Sequence, residues 1–244
     1  MRESLVVFRR ELKSYFYSPI AYVFGVLFLG VVLFFAALGA LVDGAQARMQ
    51  GFFQLLPLVL LVFVPLLTMR LWAEELKLGT HELLMTFPVR VSQLVFGKFL
   101  AALLFLGFLF VLTLGLPLTL SAYGGIDWPP VFGMYFASLL FAGSFVAVGM
   151  FFSSLTRDQI VAALVSIVVL LVLYGLGSPL LIGYFVDWLP AWGIELLSGI
   201  SPYKYFESIA RGVVDTRDIV YFACFCGFFL YANALVLNGR RQRG

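Results

Sequence analysis

Trp72-Ala-Glu-Glu-Leu-Lys-Leu-Gly-Thr-His-Glu-Leu-Leu-Met-Thr-Phe-Pro-Val-Arg90 is a polar interruption between two long apolar runs. It holds Glu74, Glu75, Lys77, His81, Glu82 and Arg90, whereas the flanks Leu55–Met69 and Leu94–Ser121 carry a single charge, Lys98. An acid or base at the centre of a membrane-spanning helix costs roughly 2.5–3.5 kcal/mol. A segment with six ionisable groups is therefore expected in water or against another protein, and what it touches becomes the question of function.

Working outward, the chain around this interruption is unusually apolar. Of its 244 residues 62% are hydrophobic and 12% charged, against about a quarter charged in soluble domains, and its mean hydropathy is +1.03. A spanning helix needs about 20 mostly apolar residues. Six runs qualify, near Ile20–Val42, Phe52–Met69, Leu94–Ser121, Val131–Ser153, Gln159–Gly177 and Ile219–Asn238. No run alternates apolar with polar residues as a membrane β-strand would. The expectation is an all-α integral membrane protein of six transmembrane helices, forming a single transmembrane domain over residues 1–244.

Orientation follows from lysine and arginine, which concentrate in cytoplasmic loops. With six spans, one side holds Arg2, Arg9, Arg10, Lys13, Arg70, Lys77, Arg90, Lys98, Arg157, Arg240, Arg241 and Arg243. The other holds only Arg48, Lys204, Arg211 and Arg217. Both termini and the 72–90 loop are thus expected in the cytoplasm, and the net charge of +3 reflects topology rather than nucleic-acid binding. No cleavable signal peptide is expected, because the first apolar run follows a charged stretch and is too long for a signal core. Cys224 and Cys226 are two residues apart on one helix and so do not face each other, which argues against a disulfide or metal pair.

Residues 1–18 read as an amphipathic interface helix. Leu5, Phe8, Leu12, Tyr15 and Phe16 share one side at helical spacing, while Arg10, Glu11, Lys13 and Ser14 fall elsewhere. The alternative is a basic flank that only sets topology. Pro57 and Pro65 invite a kink in the second span, which is either a hinge or a tolerated bend. Within the interruption, Gly79 suits the left-handed end of one helix and Thr80 the cap of another beginning at His81. Pro88 restricts Phe87 and ends that helix, which is too short to be stable unless it packs on something. Residues 178–217 form the longest outer segment, with Trp188, Trp192, Tyr203 and Tyr205 at headgroup level. Short re-entrant or interfacial helices are expected there, acting either as an outer gate or as a surface cap.

The pattern Glu74-Glu75-x-x-x-Gly79-Thr80-x-Glu82-Leu83-Leu84-x-x-x-Pro88-Val89, followed by Gly97-Lys98, resembles the cytoplasmic loop of ABC type-2 export permeases. Ser201-Pro-Tyr-x-x-Phe-Glu-Ser-Ile-Ala-Arg-Gly-Val-Val-Asp215 resembles the segment before the last span in the gliding-motility-type permeases of that family. The resemblance implies that the short helix is a cytoplasmic coupling helix seated in a cleft of a separate ABC ATPase subunit. It implies that Glu74, Glu75, Gly79, Thr80, Glu82, Leu83, Leu84 and Pro88 form or support the docking surface. It also implies a second permease copy or paralogue, contact with membrane lipid, and residence in a bacterial inner membrane. Without the resemblance, the same residues make only a compact turn.

No Gly-x-x-x-x-Gly-Lys-[Ser/Thr] loop occurs, so no cofactor is expected and ATP would be bound by the partner subunit. His81 is the one histidine, which leaves no His-based metal cluster and no catalytic diad near an intramembrane serine. Away from their ends the six runs lack acids and bases apart from the boundary residue Lys98, which disfavours ion-coupled transport. The sequence reading is thus a permease subunit without its own ATPase site, and the alternative is a non-transporting assembly or anchor subunit.

Overall fold

The structure, a computed structural model, describes residues 2–42, 49–80, 90–123, 128–179, 182–183, 190–210 and 215–241. All regular structure among them is helical. The chain begins with α1 (Arg2–Tyr17) and α2 (Pro19–Val42). Pro19 has no amide hydrogen to carry the first helix onward, so α1 closes with Ser18 N donating to Tyr15 O. The two helices then meet at an angle of 72°.

Next come α3 (Gln50–Thr68), α4 (Arg70–Leu78), α5 (Val91–Thr113) and α6 (Gly115–Tyr123). The α3–α4 pair runs as one nearly continuous helix over Gly51–Leu78, and α5–α6 does so over Val91–Ala122. The break before α6 falls three residues ahead of Pro117, which cannot donate to the carbonyl of Thr113. The second half contains α7 (Trp128–Leu155), α8 (Gln159–Gly175), α9 (Ala191–Ile200), α10 (Pro202–Ala210) and α11 (Thr216–Arg241). Asp158 separates α7 from α8 as an N-cap, its Oδ1 accepting from Ile160 N at 2.8 Å.

Among the described residues four helices are long and apolar enough to cross a membrane, and five if the bent pair α1–α2 counts as one span. Gln159–Gly175, where a further span was expected, is a shorter apolar helix. The centre of the bundle is α7, against which α3, α4, α5, α8, α10 and α11 pack. Its small residues explain this position. A Cβ on Gly149 would overlap Thr68 Oγ1 of α3, and one on Gly143 would lie 3.4 Å from Leu103 of α5. Its serines turn back on their own helix, Ser138 Oγ donating to Met134 O and Ser144 Oγ to Phe141 O.

At the opposite end from α1, α9 and α10 cover the bundle. Phe206 and Ile209 are buried, with Phe206 5.2 Å from the ring of Phe141. Close approach there requires Gly177, where a side chain would strike Ser201.

Candidate functional site

The first part of the polar interruption, expected as a loop, is helical and ends at Gly79, where the sequence places the left-handed end of a helix. Helix α4 carries it on to Leu78, with Leu71, Trp72, Ala73 and Leu76 buried. Burial on more than one side explains the difference, because these four residues span roughly 200° of the helix, and α4 packs on both α7 and α8 while Trp72 also meets Lys98 of α5. The junction at Met69 is stitched from outside. Ser153 of α7 donates to Met69 O at 2.8 Å and accepts from Trp72 N and Ala73 N, both at 3.1 Å. A buried hydroxyl on a neighbouring helix thus caps the first turn of α4, whose own N-cap residue, Met69, makes no side-chain capping bond.

Helix α1 lies along the start of α5, and Gly97 makes this possible. A Cβ there would sit 3.0 Å from Val7 Cγ1 and 3.3 Å from the backbone nitrogen of Phe8. Aromatic contacts hold the rest of the seam, with Tyr15 stacked on Phe105 at 5.1 Å and Phe16 edge-on to Phe108 at 5.4 Å. Gln93 Oε1 accepts from Arg90 N at 3.2 Å and fixes the first turn of α5.

Where α1, α4 and α5 meet, Lys98 is buried, with 2% of its side chain exposed. An ammonium carries three hydrogens, and three oxygens surround this one: Glu75 Oε1 at 2.7 Å, Glu11 Oε1 at 3.2 Å and Leu71 O at 3.1 Å. The Trp72 ring adds a face 4.8 Å from Nζ. One cation therefore ties together three helices whose charged partners are 23 and 87 residues away along the chain. Its orientation is fully specified, and its charge is overbalanced by two carboxylates.

A cavity of about 270 Å³ opens beside this cluster. Arg10, Arg70, Glu74 and Glu75 form its polar wall, and Ala21, Phe24, Leu66 and Leu67 its apolar wall. Arg70 Nε donates to Glu74 Oε2 at 3.2 Å across one helical turn. Three buried polar atoms in this region, Tyr15 Oη, Trp72 Nε1 and Glu75 Oε2, find no hydrogen-bond partner among the described residues.

The residues expected to serve docking divide accordingly. Glu74 is half-exposed in its pair with Arg70. Glu75 points into the protein, so it supports the segment from beneath. Gly79 closes α4 in the left-handed conformation, with φ of 72°, and Thr80 is exposed, its hydroxyl donating to Glu75 O at 3.5 Å. Glu82, Leu83, Leu84 and Pro88, with the rest of the expected short helix, lie outside the described residues. Glu11, which helical spacing sends to the polar side of α1, turns instead toward Lys98, and the boundary residue Lys98 is buried. A local signal for Lys98 is the Gly97-Lys98 pair, in which a position admitting a second backbone precedes a lone charge; none exists for Glu11.

The family model described as ABC-2 family transporter protein matches residues 5–190. The match takes in α1 from Leu5 onward, the whole 72–90 segment and the Lys98 cluster. No curated protein matches the chain.

Proposed function

The chain belongs to the ABC-2 family of transporter proteins, and from that premise we propose that it is the permease subunit of an ATP-driven exporter. It works with a separate cytoplasmic ATPase and faces a second permease copy or paralogue. In this reading six segments span a bacterial inner membrane, the short Gln159–Gly175 helix among them. Both termini and residues 80–88 are cytoplasmic. Residues 80–88 form the lever that enters the ATPase, with Glu82, Leu83, Leu84 and Pro88 at or beside the contact. The gliding-motility type is the subgroup we favour, on the Ser201–Asp215 motif.

The observation that carries the reading is the Lys98 cluster. Residues 81–89 connect the end of α4 to the start of α5, and the two attachment points are joined through Glu75 and Lys98. Glu11 adds α1 to the same joint. A push on the lever is therefore delivered to three helices together instead of being absorbed by a slack loop. Nucleotide drives such a change only if it binds one arrangement of the helices more tightly than the other. The two permease conformations then differ in how the lever meets the ATPase.

Co-purification with the ATPase, comparing the parent chain with Glu82→Lys and Leu84→Asp, tests the docking assignment. Both variants are expected to lose association and ATPase stimulation while keeping the elution profile of the free permease. Undiminished association and turnover in both would defeat it. An intact complex in which the parent chain never stimulates ATP turnover would favour a non-transporting assembly subunit.

A further inference from the structure

We propose that the cavity between α1, α2 and α4 binds a phospholipid with a primary-amine, zwitterionic headgroup. Two cavities meet at the α1–α2 bend and share Tyr15 and Ala21. The first is the polar cleft beside Lys98. The second, of about 250 Å³, presents no polar surface and is walled by Phe16, Gly25, Leu29, Phe105, Phe108 and Leu109. Each is close to the lower end of ordinary ligand clefts, ~300 Å³. A polar cleft that continues into an apolar slot has the shape of a headgroup followed by the first part of an acyl chain. A 72° bend between an amphipathic helix and an apolar one is where such a molecule meets a membrane protein.

The charges choose the headgroup. Arg10, Arg70 and Lys98 face Glu11, Glu74 and Glu75, so cations and acids are equal in number and a ligand with net charge gains nothing from the sum. The groups differ in what remains free, because Arg70 is already paired with Glu74 at 3.2 Å. Lys98 is consumed by its three oxygens, while Arg10 is exposed and makes no ion pair with a described residue. Arg10 is therefore the cation of this cavity left to meet a phosphate. In the same cavity Glu74 is 40% exposed in its pair with Arg70, and Glu75 Oε2 has no donor among the described residues. An ammonium with hydrogens to give suits these carboxylates. A quaternary trimethylammonium has none, and a glycerol headgroup offers no positive charge.

The inference does not rest on the ATPase reading, because it needs only the permease. The test is native mass spectrometry of the purified chain in mild detergent. Dioleoyl phosphatidylethanolamine, phosphatidylcholine and phosphatidylglycerol are presented at equal concentration, so that only the headgroup varies. The ethanolamine lipid is expected to be retained at least about tenfold over the other two, which corresponds to ~1.4 kcal/mol. Arg10→Glu, at an exposed position, is expected to abolish that preference. Val26→Trp, on an outward position bordering the apolar slot, is expected to lower retention of the ethanolamine lipid itself. Both variants should elute as the parent does. Equal retention of the three lipids, or an unchanged preference in both variants, would overturn the proposal. Displacement of the lipid by excess glycerophosphoethanolamine would overturn it in favour of a soluble amine phosphate.

Discussion

Replacing Lys98 with methionine removes one charge and leaves two carboxylates facing a buried apolar space. The side chain donates hydrogen bonds at 2.7 and 3.1 Å and makes an ion pair with Glu11 at 3.2 Å, and its own exposure is 2%. Breaking a buried ion pair by deleting one partner costs about 3–5 kcal/mol, chiefly because the other partner is left uncompensated. For a chain of this size each kcal/mol corresponds to roughly 2–4 °C, so Lys98→Met is expected to melt roughly 6–20 °C below the parent. The triple variant Glu11→Gln/Lys98→Met/Glu75→Gln removes all three charges while nearly keeping volume. It is expected to recover at least half of the loss, since neutral replacements of buried ion clusters are often nearly neutral for stability. Lys77→Met, at an exposed position on the same helix as Glu75, is the control and should change little. The assay is thermal unfolding in detergent followed by size-exclusion of the surviving protein. A Lys98→Met melting point within about 2 °C of the parent, less than 1 kcal/mol by the same scaling, would refute the reasoning. So would a triple variant no more stable than the single one.

Two further perturbations test how the joint is held. Ser153→Ala removes the outside partner of Met69 O, Trp72 N and Ala73 N, and at about 1–3 kcal/mol for an unsatisfied buried group it should speed hydrogen exchange at Trp72 and Ala73. Ser154→Ala loses only a bond back to Phe151 O and should leave those amides unchanged; equal exchange in the two variants would contradict the capping role. Gly97→Leu places side-chain atoms where Val7 and the backbone of Phe8 already lie, and overpacking of this kind costs about 1–3 kcal/mol. Tryptic cleavage after Arg9 or Arg10 should then rise by roughly 5–150-fold as α1 lifts from α5, whereas Gly107→Ala, with 3.6 Å to its nearest neighbour, should not change it.

Much of the architecture was legible because membrane helices leave a simple mark. Apolar runs near 20 residues, Pro19 at the first bend and Asp158 at the α7–α8 turn are local signals, and the structure has a helix boundary at each. The small residues of α7, among them Gly133, Gly143 and Gly149, are likewise a local mark of close packing, and Gly149 against Thr68 is one such contact. The site was harder. Glu11 is polar and sits among Arg10, Lys13 and Ser14 in sequence, so periodicity alone sends it to solvent. Only the partner on α5 turns it inward. Likewise Glu75 belongs to a charged string, yet helical spacing sets it beside Lys98 rather than with the exposed Lys77. Partners separated by 23 and 87 residues leave no trace in a reading of neighbours.

The central claim is that force enters through residues 80–88 from a nucleotide-consuming partner. A photo-crosslinking amino acid at Leu84, with another at the exposed Leu196 of α9 as the opposite-end control, tests it most directly in cells expressing the whole transporter. The account predicts an ATPase adduct from position 84 and none from position 196. An ATPase adduct from 196, or none from 84 while the complex remains intact, would contradict it.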